Sequence, residues 1–160
     1  MLIKLPVYWI VTLNIAGWLA IQMGLAWGFL HLPVGWFSAT RLPRISPGSH
    51  WYERILHIKS WKDRLPDAAG WFSSGFAKAA LAEKNTDYLR RFVAETRRGE
   101  ICHWMAIGFV PLFCLWNPGW AFWVNAAYAL AANLPCILTQ RYNRARLLRL
   151  VVKRNDLLWK

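Results

Sequence analysis

Residues 6–32 contain no Asp, Glu, Lys or Arg. As a helix, a run of that length rises about 40 Å, enough to cross a bilayer core even when tilted. A signal peptide shares these features, but the length and the lack of a small-residue cleavage site favour a retained helix. Two further apolar stretches follow, residues 101–116 and 120–139, separated by Asn117-Pro118-Gly119, a strong turn signal. Thr86-Asp87 reads as a helix start, with Thr as cap and an acid in the first turn. The helix is expected to run over 87–116, cytosolic in its first part and in lipid over 101–116. That apolar part is short for a full span, and Pro111 is placed to kink it.

Between the first and second apolar stretches the chain changes character. Residues 35–48 hold Pro43 and Pro47 and read as an extended loop. Residues 50–67 mix Trp51, Tyr52, Arg54, Lys59, Trp61, Lys62 and Arg64, a composition suited to the membrane interface. A short surface helix is expected over 76–82. The sequence therefore predicts an all-α, small polytopic membrane protein forming a single membrane domain over 1–160. It has about three transmembrane helices (6–32, the end of 87–116, and 120–139). An amphipathic interfacial segment covers 35–86, and a basic tail covers 140–160.

The chain carries 12 Trp and a net charge of +12. Indole rings settle at the headgroup level, so the Trp usage fits a membrane protein. No nucleic-acid-binding fold motif accompanies the charge, and an anionic membrane surface or anionic substrate explains it better. Residues 35–100 hold 12 Lys and Arg, the chain after Thr139 holds 7, and the Asn117 turn holds none. With three spans, the positive-inside rule places the central segment and the tail in the cytoplasm, and the N-terminus and turn outside. The chain is thus expected to be a multi-pass protein of the cell membrane. Cys102, Cys114 and Cys136 lie in apolar stretches without CxxC spacing and read as small apolar residues. No phosphate loop, nucleophile elbow or metal-ligand cluster is present, so neither a metal nor another cofactor is expected.

The chemistry concentrates where charge meets lipid, at Glu95-Thr96-Arg97-Arg98-Gly99-Glu100-Ile101-Cys102-His103-Trp104. Ionisable groups at that depth are costly unless paired or used. A second polar cluster, Asn133 and then Gln140-Arg141-Tyr142-Asn143-Arg144, lies at the end of the following apolar stretch. In an antiparallel hairpin centred near Pro118, residues equally far from the centre share a depth. This register pairs His103 with Asn133, Glu100 with Cys136, Thr96 with Gln140, and Glu95 with Arg141. Thr96, Glu100 and His103 share one helical face.

A histidine beside a carboxylate can hold one tautomer and act as a general base. His103, Glu100 and Asn133 are therefore the candidate catalytic residues, with Asn133 or Gln140 as oxyanion donor. The candidate substrate-binding residues are Thr96, Arg97, Gln140, Arg141, Asn143, Arg144, Lys59 and Trp61. Arg97, Arg141 and Arg144 suit a phosphate or diphosphate. The plainer readings are a hairpin salt bridge for Glu95 and Arg141, a packing hydrogen bond for Asn133, a self-satisfied Glu100–His103 pair, and lipid anchoring for most of the cations. His57 and Asp63 miss the His-x4-Asp spacing of soluble-headed acyltransferases by one residue.

The stretch 95–104, Tyr128-Ala129-Leu130-Ala131-Ala132-Asn133-Leu134-Pro135, and Gln140-Arg141-Tyr142-Asn143-Arg144 resemble the glycosyl-4,4'-diaponeurosporenoate acyltransferase family of staphyloxanthin carotenoid synthesis. The resemblance covers roughly the last 70 residues. Weaker echoes lie in Lys59-x-Trp61-Lys62 and Asn14-Ile15-Ala16. The chain departs from the family pattern before Trp51, and at Ala145, where that pattern has Pro. The resemblance implies transfer of a fatty acyl chain to a sugar hydroxyl of a membrane glycolipid or glycosylated isoprenoid. The partners would then be a lipid acceptor, an acyl donor such as acyl-CoA and the membrane, with no nucleic acid. The sequence leaves open an enzyme acting on a lipid or isoprenoid diphosphate, and a non-catalytic lipid-binding or assembly subunit.

Overall fold

The computed structural model describes residues 2–38, 48–65 and 86–158, with side chains placed for 2–38, 48–65 and 87–151. All regular structure among these residues is helical. Four α-helices are present: α1 (Val7–His31), α2 (Ser49–Ile55), α3 (Thr86–Gly108) and α4 (Gly119–Leu158). Short 3-10 helices cover Val34–Phe37, Ile58–Ser60, Lys62–Arg64 and Val110–Leu115. The helix expected over 76–82 and most of the loop expected over 35–48 lie outside the described residues; Val34–Phe37, at that loop's start, is helical.

The helix expected over 87–116 is not continuous. It stops at Gly108 and gives way to the 3-10 helix Val110–Leu115, with Pro111 in the first turn of the latter. Proline lacks the N–H that an α-helix would need there, and its ring clashes with the carbonyl four residues back. The opposite happens in α4, which passes through Pro135 and continues beyond Thr139 to Leu158. The basic tail is therefore an extension of the last helix. Arg and Leu, which recur over 141–150, are good helix formers and carry it onward. Among the described residues, two helical stretches are long and apolar enough to cross a membrane, α1 and Gly119–Val151. The apolar arm between them reaches the turn as the end of α3 plus the 3-10 helix, over the residues that the sequence marked as short for a full span.

α3 and α4 form an antiparallel hairpin about Asn117-Pro118-Gly119, and α1 packs on its closed end. Trp18 stacks on Phe113 with centroids 4.6 Å apart. Val110 and Ala129 complete this cluster. The backbone N–H groups of Leu2 and Ile3 donate to the Leu115 carbonyl. At the open end, Leu89 and Phe92 pack on Leu147.

Asparagines fasten these contacts in one repeated geometry. Asn117, Asn125 and Asn133 each donate Nδ2 to the carbonyl four residues earlier, at 2.9 Å. Each then presents Oδ1 to another segment: Asn117 to Asn14, Asn125 to Trp18 Nε1, and Asn133 to His103. In lipid such polar contacts between helices contribute about 1 kcal/mol or less. Asn125→Ala is expected to lower stability by that amount in detergent micelles, measured by thermal unfolding. An unchanged melting temperature would remove the Trp18 contact from the forces seating α1.

Candidate functional site

His103 lies on α3 and Asn133 on α4, as the hairpin register predicts, with Nδ1 of the ring 2.9 Å from Asn133 Oδ1. Asn133 is completely buried. Its Nδ2 already donates to the Ala129 carbonyl, which fixes the amide with Oδ1 toward the ring. An oxygen acceptor there requires the proton on Nδ1, so Nε2 is the basic nitrogen of the neutral imidazole. This arrangement changes two expected roles. Asn133 orients His103, and its amide is committed to that task and not to an oxyanion. Glu100, expected to hold the ring, is engaged elsewhere.

The Glu100 carboxylate bridges two arginines of α4. Arg141 Nε donates to Oε1 at 2.6 Å, and Arg144 Nη2 donates to Oε2 at 2.5 Å. Burial pushes the Glu100 carboxyl up, but the hydrogen bonds and charges of Arg144 and Arg141 outweigh it and hold its pKa below the usual carboxylate value. The expected Glu95–Arg141 pair does not form. Glu95 pairs instead with Arg98 one turn away on α3, at 2.7 Å, both buried. The long arginine side chains reach back along α4 to Glu100, and Glu95 takes a local i, i+3 partner on its own helix.

Thr96 was expected to meet Gln140. It is fully buried and returns its hydroxyl to the Val93 carbonyl of its own helix, at 2.7 Å. Its proton is thereby committed within α3, and it does not meet Gln140. Gln140 Oε1 is buried and has no hydrogen-bond partner among the described residues, and the same is true of Arg144 Nη1. An unsatisfied buried polar atom costs about 1–3 kcal/mol, so two of them close together on α4 mark a place where a polar ligand gains affinity. Arg97 is half-buried beside this group. Burial and the neighbouring Arg144 charge lower its pKa, opposed by Glu100. Asn143 is half-buried on α4.

The interfacial segment covers the cluster. Tyr52 of α2, Ile58 and Tyr142 of α4 form a buried apolar patch, with Leu56, Trp61 and Leu138 around it. Glu53 ties the patch together: it accepts from the Tyr142 hydroxyl at 2.9 Å and pairs with Lys59 at 2.8 Å. Those two hydrogen bonds, from Lys59 first and Tyr142 second, lower the Glu53 pKa. Trp61 Nε1 donates to the Leu56 carbonyl at 2.9 Å. Lys59 and Trp61 are thus held on this cover, which lies over the α4 stretch that carries Arg141 and Arg144. His57, whose backbone adopts φ 46°, and Asp63 are both exposed, and Asp63 pairs with Lys62.

Sequence reasoning missed the Glu53–Tyr142 contact, because nothing in residue spacing links α2 to α4. It also missed Asn14, Trp18 and Asn125 as a set. The signal available was Asn117, Asn125 and Asn133, eight residues apart in an otherwise apolar stretch; nothing in spacing linked them to Asn14 or Trp18. Chemically, the site offers an oriented imidazole near a cluster of guanidiniums. An open apolar depression, lined by Ile101, Trp104, Met105 and Gly108 of α3 and by Phe109 just beyond it, lies on the helix that carries His103.

Comparison with known proteins adds independent information. Residues 33–153 match the model of the family described as glycosyl-4,4'-diaponeurosporenoate acyltransferase, so the likeness extends well upstream of the last 70 residues. A protein of that name from Staphylococcus aureus (strain USA300) is 30% identical over 139 residues, covering 84% of this chain and 83% of the relative. One from Staphylococcus haemolyticus (strain JCSC1435) is 34% identical over 100 residues, covering 62% of this chain and 57% of the relative's length. No solved structure matches the chain.

Proposed function

The chain belongs to the glycosyl-4,4'-diaponeurosporenoate acyltransferase family, and on that premise we propose that it moves a fatty acyl chain onto a sugar hydroxyl of a glycosylated isoprenoid or similar membrane glycolipid. The observation that carries the mechanism is the His103–Asn133 contact. It fixes which imidazole nitrogen is basic.

Nε2 of His103 takes the proton of the acceptor hydroxyl as its oxygen attacks the acyl carbonyl carbon. The new C–O ester bond forms, the bond from that carbon to the donor's leaving group breaks, and the imidazolium returns the proton to the leaving group. General base catalysis of this kind contributes about 10²–10⁴-fold. The acceptor's apolar chain lies along the exposed α3 face of Ile101, Trp104, Met105 and Phe109, within the leaflet.

The places where the aromatics emerge support membrane embedding. Trp9, Trp120 and Trp123 are exposed at the turn end of the bundle, and Trp27, Trp36 and Trp51 at the other. Trp9 and Trp27 lie on α1 separated by about 27 Å of helix rise, close to the thickness of a hydrocarbon core. Asn133 lies about 12 Å beyond Asn125 along α4. Since Asn125 meets Trp18 of α1, His103 sits at the level of Trp27. This level supports a reaction centre at the membrane boundary, and the distribution of basic residues supports its cytoplasmic side.

The test is mass spectrometry of lipids from cells with and without the protein. A glycolipid heavier by one acyl chain, present only with the protein, is the expected result. An identical acyl-lipid profile would overturn the reading in favour of a diphosphate enzyme or an assembly subunit. Asn133 supplies a finer check. Asn133→Leu leaves the ring unoriented and is expected to lower kcat about 10-fold or more, whereas Asn133→Asp keeps an oxygen acceptor on Nδ1 and retains more activity. Equal activity in the two variants would refute the orienting role.

A further inference from the structure

Three guanidiniums, those of Arg97, Arg141 and Arg144, gather around one carboxylate, Glu100. The neighbouring Arg98 has Glu95 as its own partner and does not offset them. The cluster is therefore left with an excess of positive charge in a partly dehydrated place. Arg144 is 8% exposed, and its Nη1 is buried with no hydrogen-bond partner among the described residues. Gln140, one turn earlier on the same helix, leaves a second buried polar atom unsatisfied. Arg97 makes no ion pair or hydrogen bond among the described residues. Buried cations are retained when they are paired or when they serve a ligand. Guanidinium forks match the oxygens of a phosphate group.

We propose that Arg97, Arg141, Arg144 and Gln140 form the seat for the phosphate group of the acyl donor. This rests on the acyl-transfer reading, which it deepens by naming the donor class. Glu100 holds Arg141 and Arg144 in place before the donor arrives and leaves Nη1 of Arg144 to meet it. The heads of Arg141 and Arg144 meet at Glu100, which lies three residues from His103 on α3, about 4.5 Å of helix rise. The donor class is therefore one that carries a phosphate, and the sources of that phosphate, acyl-CoA or a phospholipid, are separated by the experiment.

The experiment uses the full chain purified in detergent micelles. Binding of free coenzyme A is measured by calorimetry. Turnover is measured with three donors: acyl-CoA, the acyl thioester of N-acetylcysteamine, which lacks phosphate, and phosphatidylglycerol. Wild type is expected to bind coenzyme A and to favour acyl-CoA over the truncated thioester. Arg97→Gln is expected to weaken coenzyme A binding about 10- to 100-fold, as loss of one charge-assisted contact does. The change should appear in KM more than in kcat, and the preference over the truncated thioester should collapse. Arg97→Lys, which keeps the charge, should retain most of the binding.

Use of phosphatidylglycerol as donor, lowered by Arg97→Gln, would support the seat with a lipid phosphate as its occupant. Equal use of acyl-CoA and the truncated thioester, without coenzyme A binding, would overturn the seat and leave acyl transfer standing. Arg97-dependent coenzyme A binding with no acylated product from any donor would support the seat and overturn the acyl-transfer reading.

Discussion

Replacing His103 by alanine is expected to lower turnover by about 10²–10⁴-fold while the protein still folds and accumulates in the membrane. The loss follows from geometry. Asn133 accepts from Nδ1 and is itself locked by the Ala129 carbonyl, so the ring presents one basic nitrogen in one orientation. No neighbouring group reproduces that: Glu100, the nearest carboxylate along α3, is taken by Arg141 and Arg144. The fold survives because the hairpin is secured elsewhere, by Trp18 on Phe113 at one end and by Leu89 and Phe92 on Leu147 at the other. Losing the His103 contact leaves the buried Asn133 Oδ1 unpaired and costs about 1–3 kcal/mol. The measurement is acylated lipid per unit of protein in membranes, with expression and melting temperature recorded for each variant. Turnover within a few-fold of wild type in His103→Ala would remove His103 from the reaction and leave the Asn133 contact as helix packing.

The depth rule for an antiparallel hairpin was sufficient to bring His103 to Asn133, because both lie on regular helix within reach of the turn. It failed for the longer side chains further out. Glu95 was assigned to Arg141, yet Arg141 reaches Glu100 and Glu95 turns to Arg98 on its own helix. Two causes are visible. Arginine side chains are long enough to reach a carboxylate at a different depth on the facing helix, and a local i, i+3 partner needs no register at all. The fold class was legible because a charge-free run and a Pro-Gly turn leave few options. The length of the last helix was not, since the apolar run ends at Thr139 while the helix continues through the basic residues to Leu158. Contacts of α2 with α4 were invisible for a different reason. Glu53 meets Tyr142 across 89 positions, and no periodicity connects an interfacial segment to a helix it covers.

The cover and the cluster beneath it depend on one side chain more than any other. Glu100→Ala is expected to lower stability by about 3–5 kcal/mol, the range for removing one partner of a buried ion pair. Arg144 is buried and would lose its only ion-pair partner among the described residues. Arg141 is more exposed and can turn to water, so Arg144 dominates the loss. Glu100→Gln keeps the side chain's length and one acceptor oxygen but leaves the guanidiniums uncompensated, so it should fall between wild type and Ala.

The pH dependence has a definite sign. The folded-state pKa of Glu100 lies below its ordinary value of 4.5. Its contribution is therefore fully present above that ordinary value and is lost as pH falls through the folded one. Melting temperatures of wild type and Glu100→Gln, measured from neutral to acid, should converge at the acid end. A difference that stays constant across that range would assign the loss to packing, and one absent at neutral pH would show that the arginines do not need the carboxylate. Coenzyme A, seated on Arg97, Arg141 and Arg144, is expected to restore part of the stability of Glu100→Gln at neutral pH. Its phosphate supplies to Arg144 the negative charge that the variant lacks.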